Sequence, residues 1–454
     1  ERAHTYIKNG LAVQGWPVDT LAFDPDLVTQ GLVVDVKTGN VVKANRFGYV
    51  QRAFHGTRPL PYDVLRETYA RTLVDLHDRR WRFMNTLFSI SEAGLYLQLV
   101  DLLDAGRLPE RVGYDDLYAV VRRTLDDAHL EGLLKAEIIQ DPARFVDLDP
   151  EVPLTLLDQK EAGKKVILIT NSEWDYASAM LAFAFDPFLP EGTTWRDLFS
   201  LAIVGARKPQ FFSERAPAFH VVSEDGLLRE HRGPLQEGHA YVGGHAKLVE
   251  DSLGLKGEDI LYVGDHVFAD VKQSKSVHRW RTALVLRALE DETAAHEAFQ
   301  PQQDRLTALM ARKEALEARY SALRLERQRN ARRYGPRTRR RVPDLDREIQ
   351  AVRTELLGLD AEIAPLAQAA GQLVNPHWGP LLRAGNDKSL LARQVEASAD
   401  VYTARVSSFL AYTPFVYLRS HRGSLPHDIS APQEEGGEEA LQEASDADAA
   451  AGPA

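Results

Sequence analysis

The sequence contains no cysteine, which excludes disulfides and thiolate metal sites and fits a cytoplasmic protein. Long apolar runs are missing too. No stretch approaches the roughly 18 consecutive apolar residues that a membrane span requires, so no membrane partner is expected. Positive charge is in deficit, with 55 Lys and Arg against 66 Asp and Glu for a net charge of −11. A phosphate backbone demands a basic footprint, so general nucleic-acid binding is excluded. The first residues, Glu1-Arg-Ala-His-Thr-Tyr-Ile7, hold neither a signal-peptide apolar core nor an initiator methionine. What is present is ordinary globular material: 454 residues, 44% hydrophobic and 27% charged. That is enough for two or three domains with a real core.

Several patterns organise the chain. Residues 20–45 read as strands and turns, with Gly31-Leu-Val-Val-Asp35 and Val41-Val-Lys43 flanking a Lys-Thr-Gly-Asn turn. Residues 62–160 read as mainly helical. From 163 to 290, short apolar strands alternate with helical segments: Lys165–Ile169, Leu201–Val204, Ile260–Val263 and Thr282–Leu286. Near-continuous apolar runs of that kind belong to parallel strands buried on both faces, which predicts an α/β fold with a doubly wound parallel sheet. Beyond 290, Leu345, Ile349, Val352, Leu356, Leu359, Ile363 and Leu366 repeat at spacings of four and three. With the poorer seam of Leu306, Leu309, Leu316, Tyr320 and Leu323 and the break at Tyr334-Gly-Pro336, they predict an antiparallel helical hairpin. Its connection carries nine arginines from Arg324 to Arg341. These read either as a solvated tip or as a patch for acidic partners or RNA, and the acidic whole favours the tip.

The most informative segment is Ile260-Leu-Tyr-Val-Gly-Asp-His-Val-Phe-Ala-Asp270. An apolar strand ends at Gly264 and delivers Asp265 and Asp270 to the carboxyl end of the sheet, where open α/β folds bind ligands. Two carboxylates there suit Mg2+, although an N-cap and a surface aspartate would read the same. Val166–Ile169 runs into Thr170-Asn171-Ser172, either a helix cap or a cradle for phosphate oxygens. Leu201–Val204 runs into Gly205-Ala-Arg-Lys208, whose lysine could neutralise phosphate charge or simply be exposed. Each signal is weak alone; their order is far more specific.

That order resembles the haloacid dehalogenase superfamily of phosphotransferases. Ile169-Thr-Asn-Ser172, Ala206-Arg-Lys-Pro-Gln-Phe-Phe212, Gly264-Asp-His-Val-Phe-Ala-Asp270 and Trp280-Arg-Thr282 resemble the cytosolic purine 5'-nucleotidase family within it. So do Gly31–Asp35, Gly39-Asn-Val-Val-Lys43, Asn85-Thr-Leu-Phe88 and Ala399-Asp-Val-Tyr402. The resemblance implies that Thr170, Asn171 and Ser172 meet the substrate at its phosphate end, that Lys208 neutralises charge, that Asp265 ligates Mg2+ and that Asp270 supports the site. It implies that Phe88 stacks on the purine and that Arg122, Asp126, His129 and Lys135 contact the nucleotide from a cap. Spacings of four and three put the first three of these on one helix face, where Arg122 and Asp126 would equally form a surface ion pair. Ser89 stands where the family often has asparagine, which leaves base preference open.

On this reading residues 1–60 are an N-terminal core remnant, 61–160 a helical cap and 161–290 the α/β core. Residues 291–370 are the hairpin, 371–425 helices packing on the core and 426–454 a disordered acidic tail. The family's Asp-x-Asp nucleophile is spelled only by Asp24-Pro-Asp26, which lacks a buried strand before it. The expectation is that the nucleophile strand precedes Glu1 and that these residues alone have little phosphatase activity. The implied activity is Mg2+-dependent hydrolysis of purine nucleoside 5'-monophosphates of the IMP or GMP type. A silent nucleotide-binding protein and a phosphatase for another phosphomonoester are the alternatives, and a homo-oligomer remains open.

Overall fold

The computed structural model describes residues 1–86, 88–108, 112–130, 132–336 and 338–418. Its first layer forms where the sequence alternates strands and turns. Strands Arg58–Pro59, Val50–His55, Asn40–Ala44, Val33–Asp35 and Trp81–Phe83 lie in that order in an antiparallel sheet, with Val33 opposite Val42. The hairpin between its central strands turns at Gly39, with φ +74° and a place where a Cβ would sit 2.6 Å from the Tyr114 ring. Only glycine suits both demands. Asp35, fully buried, receives Thr38, Tyr69 and a two-pronged Arg80. Helices Arg2–Val13, Phe88–Asp104 and Tyr114–Leu130 close one face through Ile7, Leu11, Leu95, Leu99, Leu117 and Val121. The region expected to be a helical cap therefore rests on a sheet. The apolar runs and the Lys-Thr-Gly-Asn turn in residues 31–43 show that sheet, whereas the Trp81–Phe83 strand is too short to show a period.

The α/β core departs from expectation more sharply. The single doubly wound parallel sheet is replaced by two sheets. One contains Ile167–Ile169, Leu201–Val204 and His239–Gly243 in parallel, extended antiparallel by Ala218–Val221 and Leu228–His231. The other holds Leu261–Gly264, Arg281–Val285 and Val401–Thr403, all parallel. Leu201–Val204 is buried throughout, as a central strand should be. Ile167–Ile169 and Leu261–Gly264 each pair on one side only, and Leu261 and Val263 remain 47% and 38% exposed. Apolar strands thus stand at open edges.

Leu289–Arg332 and Val342–Ala370 form the expected hairpin. Ion pairs step from Arg305–Glu362 through Arg312–Glu355 to Arg327–Asp346, a progression only antiparallel helices produce. Leu345, Val352, Leu359 and Ile363 are buried in its seam. At the tip Arg340 and Arg341 are paired with Glu326, Glu348 and Asp344. After the hairpin come a two-stranded ribbon of Arg383–Ala384 and Asp387–Lys388, the α-helix Leu390–Ser398, the Val401–Thr403 strand and the 3-10 helix Val406–Ala411, so helices and strands alternate there. Asp400 secures that strand by accepting Thr282 N at 2.9 Å. Residues Glu1–Val416 form one compact unit; the expected tail, 426–454, lies outside the described residues. No helix among the described residues is long and apolar enough to cross a membrane.

Candidate functional site

The carboxyl ends of the two parallel arrays meet at one cavity of about 490 Å3. Thr170, Asn171, Ser172, Lys208, Asp265 and Asp270 all line it. They come from three strand ends separated by up to a hundred positions, and local conformation puts each in place.

At the first strand end, Thr170 N extends the ladder to Ile203 O at 2.9 Å, and its hydroxyl oxygen accepts Ser172 N at 3.1 Å. That hydroxyl retains its own hydrogen for a ligand. Asn171 clamps the neighbouring loop: its amide donates to Lys208 O at 3.0 Å and its carbonyl accepts Lys208 N at 2.6 Å. Its amide is therefore committed to the loop backbone, not turned wholly to the phosphate that the sequence implied. The clamped loop is an unusual one, with Gly205 and Arg207 both at positive φ, +53° and +60°. For arginine that conformation costs about 1 kcal/mol, which the clamp offsets.

Lys208 Nζ reaches Asp270 Oδ1 at 2.8 Å and Ile169 O at 3.3 Å. Asp270 is 2% exposed and fully engaged: Tyr262 Oη donates to Oδ1 at 3.1 Å and His266 N to Oδ2 at 3.2 Å. Burial, reinforced by the Asp270 carboxylate, pushes the Tyr262 phenol far above its ordinary value, so it stays a donor. Gly264 makes the approach possible, because a Cβ there would lie 2.6 Å from Asp270 Cβ. Asp270 is held in place rather than available.

Asp265 is the contrast. It is exposed at the cavity wall, and no hydrogen bond or ion pair engages its carboxylate among the described residues. No group of three His, Cys, Asp or Glu side chains capable of holding a metal occurs among those residues. Mg2+ draws most of its ligands from water and substrate phosphate and needs one or two carboxylates, so this donor set fits it. It does not fit a cation that requires a protein cage.

The cap residues are elsewhere. Arg122 pairs with Glu92 at 3.0 Å and Asp126 at 3.3 Å. Burial lowers the Arg122 pKa, but Glu92 and Asp126 outweigh it and hold the guanidinium above its ordinary value. Lys135 pairs with Glu173 and lies 5.4 Å from the Tyr176 ring centroid. Arg122, Asp126 and Lys135 do not line the cavity; the side chains of Phe88 and His129 lie outside the described residues. Four cavity residues went unnoticed in the sequence: Gln30, Thr86, His266 and Arg287. His266 sits between the two signal aspartates, a position that could have flagged it. Gln30 carries no local signal, and Thr86 lies in the Asn85-Thr-Leu-Phe88 segment with no role assigned to it.

A strand-end hydroxyl, a buried lysine–aspartate pair and an exposed carboxylate line one cavity at the strand ends of a mixed α/β protein. A model of the 5' nucleotidase family matches residues 1–430, and the chain belongs to that family. It is 24% identical over 425 residues to a 5'-nucleotidase domain-containing protein of Dictyostelium discoideum. That match covers 90% of this chain and 66% of the relative, so the chain spans just under two thirds of the relative's length.

Proposed function

We propose that this chain is the phosphate-handling part of a Mg2+-dependent nucleotidase of the haloacid dehalogenase type. Its substrates are purine nucleoside 5'-monophosphates of the IMP or GMP kind, cleaved to nucleoside and phosphate. The observation that carries the reading is the convergence of Thr170, Ser172, Lys208, Asp265 and Asp270 on one cavity. Family membership supports hydrolysis of a nucleoside monophosphate.

The Thr170 hydroxyl donates to a phosphoryl oxygen. Lys208, oriented by Asp270, offsets the charge that builds on the transferring group. Asp265 would hold Mg2+, which when bound shields the charge of the phosphoryl oxygens. In the covalent step a carboxylate oxygen bonds to phosphorus as the bond to the nucleoside 5' oxygen breaks. A second carboxylate protonates the departing oxygen and later takes a proton from the water that hydrolyses the acyl phosphate.

Asp24 is a poor nucleophile for this site. It is exposed in a turn, accepting Asp26 N at 3.0 Å, and does not line the cavity. The proposal therefore assigns attack to a carboxylate on an extended segment beside the open edges of Ile167–Ile169 and Leu261–Gly264. Both strands run toward the cavity, and Ile167, Ile169, Ile260 and Tyr262 share one apolar cluster. A second reading, a nucleotide-binding protein without turnover, draws on the same fact: among the described residues, Asp265 and Asp270 are the only carboxylates lining the cavity. Phosphate release from a panel of nucleoside monophosphates and other phosphomonoesters, with Mg2+, separates them. Release confined to purine 5'-monophosphates supports the enzyme; binding without release from any member supports the silent protein.

A further inference from the structure

His266 stands on the cavity wall between the two aspartates, and its ring is fastened at one nitrogen. Nδ1 accepts Phe268 N at 3.2 Å and Ala269 N at 3.0 Å, capping the wide helical turn Val267–Lys272 that carries Asp270. A nitrogen that accepts two backbone N–H groups holds no proton, so the imidazole proton resides on Nε2. Nε2 has no partner among the described residues. The cap thus fixes the ring and leaves a single N–H donor available.

The cavity's other donors are in part committed already. A phosphate monoester brings three terminal oxygens, each able to accept more than one hydrogen bond. Asn171 gives one of its two amide hydrogens to Lys208 O, and Lys208 already donates to Asp270 and Ile169 O. Arg287, also on the wall, is drawn to Asp147 at 2.8 Å and to Glu290. The Thr170 and Ser172 hydroxyls, one Lys208 hydrogen, the second Asn171 amide hydrogen and the remaining Arg287 N–H groups are left, and none of them sits between the two aspartates as the His266 ring does. We infer that His266 is a substrate-binding residue whose Nε2–H donates to an oxygen of the bound phosphate. This rests on the reading of the cavity as a phosphate site.

The two nitrogens can be tested apart. In His266→Asn the side-chain oxygen reproduces the cap acceptor at the Nδ1 position but supplies no donor at Nε2. In His266→Gln the amide reaches the Nε2 position but the cap is lost. Titration of inorganic phosphate in Mg2+ buffer, read by calorimetry beside thermal unfolding, is the measurement. The expected result for His266→Asn is affinity about tenfold weaker at an unchanged unfolding midpoint, the loss of one hydrogen bond to a charged group. The expected result for His266→Gln is a lower midpoint with affinity within about threefold of the parent. Parental affinity in His266→Asn overturns the inference and leaves the phosphate reading standing. Loss of affinity that tracks the midpoint across both variants reduces His266 to a cap and overturns it as well. A parent chain that binds no phosphate overturns both.

Discussion

Two places in this molecule set a cation against a buried carboxylate, and they differ in what else the carboxylate touches. At the strand ends, Lys208 (15% exposed) faces Asp270 (3%), whose oxygens also receive Tyr262 and the His266 amide. On the cap side, Arg122 (51%) faces Glu92 (0%), whose Oε1 is buried with no hydrogen-bond partner. The first carboxylate is over-determined, as a preorganised site demands. The second has only the Arg122 guanidinium and the Tyr118 phenol. Burial of the cation is thus a poor guide to how much the pair matters; what the anion keeps after the cation leaves decides it.

Four experiments would break or sharpen this contrast. The largest effect on binding belongs to the unpartnered carboxylate beside the first pair. Asp265→Asn should weaken Mg2+ binding, read by calorimetry, about tenfold or more while the unfolding midpoint stays put, since the side chain is exposed and bonded to nothing described. Parental Mg2+ affinity would remove Asp265 from the metal site.

Next come the pairs themselves, measured by urea unfolding. Arg122→Met leaves the wholly buried Glu92 with the Tyr118 phenol alone and should cost about 3 kcal/mol. Lys208→Met leaves Asp270 with two donors and should cost about 1 to 3 kcal/mol. The reverse ranking would refute the comparison.

A third buried cation tests the rule with backbone carbonyls as its hydrogen-bond partners in place of a carboxylate. Lys43 Nζ donates to Trp378 O at 2.7 Å and Pro380 O at 2.6 Å. Burial, then the nearby Arg52 charge, pulls its pKa from 10.5 to about 7. Between those values the unfolded chain holds a proton that the folded protein has released, so this group makes stability rise with pH through that window. Lys43→Met should flatten that rise in unfolding free energy between pH 7 and 10; an unaltered slope would show that Lys43 does not produce it.

The smallest effect is expected on the hairpin, where Arg312 and Glu355 meet at 2.6 Å with side chains 60% and 40% exposed. Arg312→Ala should change stability by about 0.5 kcal/mol or less. A loss above about 1 kcal/mol would mean that solvent screens this pair less than the exposure implies.

Much of the architecture was legible from local pattern. The four–three spacing from Leu345 to Leu366 predicted the hairpin, and the apolar runs ending in Thr170, Lys208 and Asp265 predicted strands that deliver those residues to one edge. The His239–Gly243 strand had a readable apolar signal and was passed over; it is this strand that leads to the antiparallel extension. The division into two sheets was not legible, because pairing joins residues far apart and an apolar edge strand reads like a buried one.

The sequence by itself determined which residues would stand at strand ends, since periodicity and turn chemistry act over a few positions. Only the tertiary structure decided what they do there. Asn171 became a clamp on Lys208, Asp270 a buried anchor and Asp265 a free carboxylate, although the two aspartates stand five positions apart on one motif. Gln30, Thr86 and Arg287 joined the cavity from elements with no shared pattern. The physical reason is that burial and partnership are properties of surroundings assembled from distant segments. Local spacing aims a side chain; packing decides whether it is held or left free.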